Sequence, residues 1–206
     1  MTAHSVLTPG RPPLILASQS RARQQVLAAA GIAFEAVPAV LDERAVEAES
    51  GLTAPGEVAD CLARTKAAAV SHLHPDRYVI GADQTLALGA QRFSKPADRA
   101  RAAEQLQVLA GRTHQLHSAV AVVREGRVLF SEVAVASMTL RRLSPQAIDA
   151  YLDAAGPAAL TSVGAYQLEG YGIHLFERIE GDHFTILGLP LLGLLAFMRR
   201  EGLLAF

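Results

Sequence analysis

The chain has 206 residues, of which 50% are hydrophobic and 19% charged, with a mean hydropathy of +0.23. This composition excludes intrinsic disorder and predicts one core, or two intimate lobes, because a chain of this length buries roughly 70% of its unfolded surface. Nineteen Lys and Arg residues against 20 Asp and Glu give a formal charge of -1, which argues against a general nucleic-acid binder. The single cysteine, Cys61, excludes an internal disulfide framework and fits a reducing cytoplasm.

The apolar segments predict neither a membrane span nor an export signal. The longest run, 186–198, has 13 residues and contains Pro190, whereas a membrane-spanning helix needs roughly 20. The first apolar segment, 14–17, is too short for the core of a signal peptide. We therefore expect a cytoplasmic protein in which the proline-rich residues 1–13 form an extended tail and residues 14–206 form one two-lobed domain.

Strand and helix signals alternate in the first half of the chain. Ser18 and Ser20 are candidate N-caps after the first apolar run, and Gly31 stops the helix that follows them. Lys66 lies at the edge of an apolar stripe with helical spacing, which is an unusual place for a lysine. The predicted elements are a strand at 14–17, a helix at about 21–30, a strand at 34–37, an acidic loop at 42–50, a helix at about 55–73, and strands at 78–81 and 85–88.

The second half of the chain mixes hairpin and helix signals. Glu125-Gly126 joins two β-rich runs and is typical of a hairpin turn, whereas Ser144-Pro145 begins a helix that Gly156 ends. The irregular alternation of elements predicts an α/β fold with a mixed sheet. The predicted elements are a helix at 97–110, strands at 118–123 and 128–135, a helix at about 145–155, strands at about 173–179 and 184–187, and a C-terminal helix from 190.

Several common catalytic signatures are absent from the sequence. There is no G-x-x-x-x-G-K-[ST] phosphate loop and no G-x-G-x-x-G dinucleotide fingerprint. Neither G-x-S-x-G nor H-E-x-x-H occurs, and His72 and His74 at i, i+2 would face different ways on a helix. The sequence therefore supports no P-loop, Rossmann, serine hydrolase or zinc protease site.

Asp83 is the first candidate functional residue. It follows the predicted strand 78–81, and the carboxyl ends of strands are the usual place for function in open α/β sheets. The alternative is an ordinary turn-forming aspartate. Lys95, before Pro96 and the next predicted helix, could bind an anion together with the helix amides, or it could be a solvated lysine.

The turn after the first strand suits a polyphosphate. It places the hydroxyls of Ser18 and Ser20, a helix N-terminus and two arginines, Arg21 and Arg23, in one short segment. A capped helix with surface arginines explains the same residues. Further along, Asp42-Glu43 could supply a carboxylate for a hard divalent cation, although acidic pairs in loops are usually only solvated.

Eight sequence segments resemble the Maf (septum formation inhibitor) family of nucleoside triphosphate pyrophosphatases, both in their residues and in their order along the chain. Together the segments span nearly the whole chain, which makes the resemblance specific although each segment alone is weak. The segments are LASQSRARQQVLAAAGIAFE, VLDE ending at Glu43, LARTKA around Lys66, VIGADQ around Asp83, SKP at Lys95, LAGRTH, SVGAYQLEGYG and ILGLPL.

The resemblance implies a mixed twisted sheet with flanking helices, two lobes around a central cleft, and a fold also similar to inosine triphosphatases. It implies a divalent metal, Mg²⁺ or Mn²⁺, hydrolysis of a nucleotide to its monophosphate and pyrophosphate, and a homodimer. It matches Asp83 to the catalytic residue, which would share the metal with Glu43. The residues matched to the triphosphate site are Ser18, Ser20, Arg23, Lys66 and Lys95.

Two further matched positions, Gln84 and Glu169, concern the base. Both resemble the 7-methylguanosine triphosphate branch, whereas the branch that acts on thymidine and uridine triphosphates typically has Thr and Gln there. A carboxylate only accepts hydrogen bonds, which suits the adjacent N–H donors of guanine. Two departures weaken the stacking expected for a methylated base: Ala22 stands where many members have the first arginine of a pair or a tryptophan, and the chain has no Trp.

These features together predict a metal-dependent nucleotide pyrophosphatase that favours a guanine-type base and has neither nucleic acid nor membrane as a partner. Two alternatives remain open. One is a non-catalytic regulator of cell division that binds a nucleotide or a protein. The other is a hydrolase of a different phosphoryl substrate, such as a phosphomonoester.

Overall fold

The computed structural model describes residues 6–8 and 10–206, so the predicted tail lies partly outside the described residues. Within the described part of that tail, Leu7 is buried and forms an antiparallel bridge with Leu204. The backbone N–H of Thr8 also donates to the carbonyl of Leu203. Val6–Thr8 are therefore packed against the C-terminal segment, while the boundary between tail and domain stays a prediction.

Strands and helices alternate irregularly along the described chain. The strands are β1 Leu14–Leu16, β2 Phe34–Ala36, β3 Val79–Leu88, β4 Gln91–Phe93, β5 Thr113–Arg124, β6 Arg127–Leu140 and β7 Phe176–Glu180. The helices are α1 Arg21–Ala29, α2 Glu43–Ser50, α3 Pro55–Ser71, α4 Arg99–Leu109, α5 Pro145–Ala155, α6 His183–Ile186 and α7 Leu191–Arg200. Three short 3-10 segments are Gly156–Thr161, Val163–Ala165 and Tyr171–Leu175.

The strands form a mixed seven-stranded sheet with the order β2-β1-β3-β5-β6-β7, in which β4 pairs with β3. β1 runs parallel to β2 and β3, whereas β4 and β7 are antiparallel to β3 and β6. The turn between β5 and β6 has positive φ angles at Glu125 (53°) and Gly126 (72°), as a tight hairpin turn requires. The predicted hairpin and the predicted mixed α/β class are both confirmed.

Two predictions about the first half of the chain are wrong. The acidic stretch 42–50 is not a loop, because the Asp42 carboxylate caps the backbone N–H groups of Arg44 and Ala45 and starts helix α2. Gly51 ends that helix with a left-handed φ of 63°. The two strands expected at 78–81 and 85–88 are one strand, β3, because the polar groups between them find partners inside the protein. Asp83 therefore lies inside a strand and not at its end.

Two predictions near the C-terminus are also wrong. The segment expected as a strand at 184–187 forms the short helix α6, and Gly188 follows it with a φ of 87°, which reverses the chain. The strand expected from 173 begins only at Phe176, because Tyr171–Leu175 forms a 3-10 turn. A Cβ atom at Gly172 would lie 2.3 Å from the carbonyl oxygen of Gln167, so this turn requires glycine.

Contacts divide the chain into two compact units. Unit 1 comprises the described residues up to Gln84 with 118–134 and 183–206, and unit 2 comprises 85–117 and 135–182. Each unit has its own fully buried apolar side chains: Leu16, Leu27, Ile80 and Phe197 in unit 1, and Leu106, Leu109, Leu116, Met138, Leu140 and Ile148 in unit 2. The single domain at 14–206 and the central cleft stay predictions. Among the described residues, no helix is both long and apolar enough to cross a membrane.

Candidate active site

A buried ion pair between Lys66 and Asp83 forms the centre of the candidate site. The ammonium nitrogen of Lys66 lies 2.5 Å from Asp83 Oδ1 and 2.8 Å from Glu43 Oε1. Lys66 and Asp83 are each 8% exposed, whereas the side chain of Glu43 is 53% exposed. One ammonium group therefore holds two carboxylates, one buried and one open to solvent.

Close packing of β3 on α3 brings this pair together. A Cβ atom at Gly81 would lie 2.1 Å from the backbone oxygen of Ala63 and 2.9 Å from the Cβ of Ala67. Glycine on the strand and alanines on the helix thus allow the two backbones to approach, as no larger side chain would. Lys66 is on the same buried face of α3, which explains why a lysine interrupts an apolar stripe. Its charge is met by Asp83.

The turn before α1 adds a guanidinium to the same unit. Arg23 donates from Nε to the carbonyl of Gly188 (2.8 Å) and from Nη1 to the carbonyl of Ala82 (2.7 Å) and to Ser18 Oγ (3.2 Å). Ser20 is the N-cap of α1 and accepts from the backbone N–H of Arg23 at 3.4 Å. Of the predicted turn, the two hydroxyls, the helix N-terminus and Arg23 therefore lie together, and Arg23 is held by three acceptors.

Both serines of this turn keep a proton to donate. Ser18 Oγ accepts from the backbone N–H of Ser20 (3.3 Å) as well as from Arg23, and Ser20 Oγ accepts from Arg23. Because each hydroxyl oxygen accepts in these bonds and donates to no other described residue, its hydrogen is able to bond to an oxygen atom of a ligand. The turn thus offers donors to an anion. Arg21, by contrast, is exposed.

Burial dominates the electrostatics of the cluster. Burial raises the pKa of Asp83 above its usual value, and the positive charges of Lys66 and Arg23 oppose that rise. Burial lowers the pKa of Arg23, and the charges of Asp83 and Glu43 oppose that change. Each buried charge therefore depends on its neighbours, so removing one partner would leave another uncompensated.

Gln84 follows Asp83 in β3 and is tied to a different set of partners. Its Nε2 donates to Ser118 Oγ at 2.8 Å and to the carbonyls of Thr185 and Ile186, each at 3.1 Å. The hydroxyl of Ser118 in turn donates to the carbonyl of Thr185 at 2.6 Å. The C-terminal segment around Gly188 thus supports both Gln84 and Arg23.

Unit 2 contains the other two predicted site residues. Lys95 is exposed in the loop between β4 and α4, and Glu169 is exposed between the second and third 3-10 segments. The structure brings together the remaining predicted residues, all within unit 1. The place of Lys95 and Glu169 in the same site stays a prediction.

The segment that carries Glu169, residues 162–172, has an irregular backbone held by aromatic hydroxyls. Ala165 has a positive φ of 61°, which is uncommon for a residue with a side chain. Tyr151 donates its hydroxyl hydrogen to the carbonyl of Ala165 at 3.0 Å. The hydroxyl of Tyr166 lies 2.6 Å from Nε2 of His114. These neutral bonds fix the backbone that precedes Glu169.

Sequence reasoning gave no role to Ser118, Tyr151, Gly188 or His114. Ser118 and His114 lie in strand β5, and a polar residue at a buried position of a strand is the one signal that could have identified them. Tyr151 lies on the apolar face of α5, where an aromatic residue normally indicates core packing. Gly188 follows a segment that was predicted as a strand, which concealed its turn.

Glu43 and Asp83 fit a divalent metal that takes most of its ligands from the substrate and from water. Glu43 and Asp83 both approach one nitrogen within 3 Å, so their carboxylates converge. Among the described residues, no group of three or more His, Cys, Asp or Glu side chains could hold a metal. Mg²⁺ is commonly held by one or two carboxylates, with substrate phosphates and waters as its other ligands. Two converging carboxylates match that requirement.

A mixed α/β fold with this cluster of charges defines a candidate enzyme, because a purely structural core rarely buries a lysine and an aspartate beside a half-buried arginine. The Maf-like protein family matches residues 13–201, and the chain therefore belongs to the Maf family. A nucleoside triphosphate pyrophosphatase of Rhodopseudomonas palustris (strain ATCC BAA-98 / CGA009) is 65% identical over 95% of this chain and 97% of its own.

Two more distant comparisons complete this picture. A 7-methyl-GTP pyrophosphatase of Rhizobium meliloti (strain 1021) is 52% identical over 93% of this chain and 98% of its own. The structure of a HAM1 protein from Coxiella burnetii covers 65% of this chain and 75% of its own, with 17% identity and a TM-score of 0.41. That last similarity is too low to bear on function.

Proposed function

We propose that this protein is a nucleoside triphosphate pyrophosphatase, which hydrolyses a nucleoside triphosphate to the monophosphate and pyrophosphate. The observation that carries the proposal is the contact of the buried Lys66 with the buried Asp83 and the exposed Glu43, close enough to Arg23 for their charges to interact. The chain is similar over nearly its whole length to relatives that bear this name. Basic groups and hydroxyl donors next to two carboxylates are what a metal-bound triphosphate requires.

The reaction needs water to attack the α-phosphorus while the bond to the β-phosphate breaks and pyrophosphate leaves. Asp83 orients or deprotonates the attacking water, and Lys66 and Arg23 stabilise the charge that develops on the phosphoryl oxygens. Lys95 is the further basic residue that the family resemblance assigns to the triphosphate. A divalent metal held by Glu43 and Asp83 would neutralise the triphosphate when bound.

Arg23 is suited to a phosphate because its remaining nitrogen is free. Its Nε and Nη1 atoms donate to protein oxygens, whereas Nη2 has no hydrogen-bond partner among residues 6–8 and 10–206. The three protein bonds fix the plane of the guanidinium, so Nη2 approaches an anion with little loss of side-chain entropy. The Ser18 and Ser20 hydroxyls supply further donors.

A pyrophosphate-release assay over a panel of nucleoside triphosphates, with and without Mg²⁺ or Mn²⁺, tests this function. We expect metal-dependent release of pyrophosphate by the wild type and by Asp60→Asn, a control because the half-buried Asp60 pairs with Arg64 and accepts a hydrogen bond from Ser131, and none of these residues is a predicted site residue. Release of orthophosphate would identify a terminal phosphatase or phosphomonoesterase. Absence of turnover with every substrate would favour the non-catalytic regulator of cell division.

The proposed substrate carries a guanine-type base such as 7-methylguanine. The relative named 7-methyl-GTP pyrophosphatase supports this preference, as does the resemblance of Gln84 and Glu169 to that branch. Glu169→Gln should reduce kcat/KM for guanine-type triphosphates relative to uridine triphosphate, because the new NH₂ group would face the guanine N–H donors. An unchanged substrate ranking would show that Glu169 does not contact the base.

The proposal includes a homodimer in the cytoplasm with no nucleic-acid or membrane partner. Light scattering of the purified full chain tests the oligomeric state, and a mass of one chain would contradict the homodimer. Addition of duplex DNA or of lipid vesicles should leave the rate of pyrophosphate release unchanged. Fractionation of cells that express the tagged chain tests its location.

A further inference from the structure

The amide of Gln84 faces oxygen atoms only. Its Nε2 lies 2.8 Å from Ser118 Oγ and 3.1 Å from the carbonyl oxygens of both Thr185 and Ile186. With two hydrogens and three acceptors, the NH₂ group gives one hydrogen to Ser118 and shares the other between the two carbonyls. All the donor capacity of Gln84 is therefore spent within unit 1.

The chemistry of these partners permits only this orientation of the amide. Carbonyl oxygens accept and never donate, so a nitrogen has to face Thr185 and Ile186. Ser118 has a single hydrogen, which it donates to the carbonyl of Thr185 at 2.6 Å, so it can only accept from Gln84. Rotating the amide by 180° would place Oε1 against three oxygens that have no hydrogen to offer.

The opposite side of the amide is open. Gln84 is half-buried, and its Oε1 accepts no hydrogen bond from any residue in the part of the chain that the structure describes. A Cβ atom at Gly188 would lie 3.7 Å from Cδ of Gln84 and 3.4 Å from Nη2 of Arg23. Glycine thus keeps the space beside both groups clear of a side chain.

We propose that Ser118 is a positioning residue that, with the carbonyls of Thr185 and Ile186, locks Gln84 as a hydrogen-bond acceptor. The group of the ligand that Gln84 recognises must then be a donor. This inference rests on the proposed function, in which Gln84 contacts the base. An amide free to rotate could match either a donor or an acceptor, whereas a locked one rejects a base edge that presents only acceptors.

The lock also agrees with the proposed guanine-type base. Guanine presents N1–H and N2–H donors side by side, so its edge suits an acceptor-only Gln84. Uracil has one N–H between two carbonyl oxygens, so its edge suits such an acceptor less well. Ser118, which need not touch the substrate, would therefore contribute to the choice of base.

NMR of the ¹⁵N-labelled full chain tests the lock without any activity measurement. The side-chain NH₂ resonances of Gln84 are assigned by their loss in Gln84→Met. We expect their hydrogens to exchange with solvent about tenfold or more slowly than those of the exposed Gln25, because each is hydrogen-bonded. Equal exchange rates for Gln84 and Gln25 in the wild type would overturn the proposal.

Ser118→Ala tests the effect on selectivity, with Ser71→Ala as the matched control. Ser71 is also a fully buried serine of unit 1, but its hydroxyl accepts from the backbone N–H of Gly126. Ser118→Ala should raise KM for guanosine triphosphate more than it lowers kcat. It should reduce the preference for guanosine over uridine triphosphate, measured as a ratio of kcat/KM values, about three- to tenfold. Ser71→Ala should leave this ratio unchanged.

Three kinetic outcomes are distinguishable. A reduced ratio in Ser118→Ala alone supports the positioning role. An unchanged ratio in Ser118→Ala, or an equal change in both variants, overturns it while the proposed function stands. If the wild type hydrolyses no triphosphate, the proposed function fails, and slow exchange of the Gln84 hydrogens would still show that the amide is held.

Discussion

The charged cluster of unit 1 and the segment 162–172 of unit 2 hold their functional side chains in different ways. Lys66 and Asp83 lie on a regular helix and a regular strand, and opposite charges 2.5 Å apart fix them. The segment 162–172 has an irregular backbone with Ala165 at φ 61°, and the neutral hydroxyls of Tyr151 and Tyr166 fix it. One region depends on charge balance and the other on backbone hydrogen bonds.

The difference follows from what each region has to offer a ligand. A triphosphate needs charged groups, and charged groups removed from water need partners of opposite sign. An exposed carboxylate such as Glu169 needs no such partner, but the backbone that carries it must hold one conformation. Removal of a charged group should therefore have its largest effect on stability and turnover in unit 1. Removal of a single hydroxyl should have a measurable effect in unit 2.

The largest expected effect is on stability, from removing the central ammonium. Lys66→Met should lower the free energy of unfolding by about 3–5 kcal/mol, because it leaves Asp83 buried without its partner. The double variant Lys66→Met/Asp83→Asn should recover part of that loss, since it removes both charges. Urea denaturation measures both values. A loss below about 1 kcal/mol in Lys66→Met would mean that the ion pair does not hold the cluster together.

The next effect is on turnover. Asp83→Asn should lower kcat by about a hundredfold or more, because it keeps the side-chain volume but removes a base and a metal-attracting charge. Glu43 still pairs with Lys66, so we expect the variant to fold, which circular dichroism checks. Pyrophosphate release measures the rate, with Asp60→Asn as the control. Near-wild-type turnover in folded Asp83→Asn would contradict its catalytic role.

The sequence predicted most of unit 1 but misjudged how Asp83 is presented. Its carboxylate was placed after a strand because polar residues usually end an apolar run. In the protein, Lys66 reaches across from α3 and Ser118 reaches across from β5, so β3 continues through Asp83 and Gln84. A polar residue normally predicts the end of an apolar strand, but a hydrogen-bond partner that is distant in sequence allows the strand to continue. Local sequence patterns cannot reveal such a partner.

The helix α2 shows the same limit on a smaller scale. Residues 42–50 are polar and acidic, which favours a loop, but Asp42 caps the helix and Gly51 closes it. Both signals are present in the sequence. The helix matters for the site because Glu43, its first residue, is thereby directed at Lys66.

A pH titration distinguishes the two regions, because unit 2 contains a buried neutral histidine. Burial lowers the pKa of His114 from 6.5 to about 4. Between these values the unfolded chain binds a proton that the folded chain does not, so stability is full above pH 6.5 and decreases as the pH falls towards 4. The loss of stability should reach about 3 kcal/mol.

His114→Gln should lack this pH-dependent component of stability. The difference between urea denaturation series of the wild type and His114→Gln over this pH range therefore isolates it. Parallel pH profiles would contradict the depressed pKa.

The smallest expected effect concerns the hydroxyl that fixes Ala165. Tyr151→Phe keeps the ring in the core and removes one donor to the carbonyl of Ala165. Loss of this bond should lower the free energy of unfolding by about 1 kcal/mol. If the segment positions Glu169 for the base, KM for guanosine triphosphate should rise about three- to tenfold with little change in kcat, because a looser segment must be ordered on binding.

Tyr171→Phe is the control, because that tyrosine is 60% exposed. A Tyr151→Phe protein with wild-type KM and lowered stability would limit Tyr151 to a structural role, whereas a fall in kcat alone would place its effect on the chemical step.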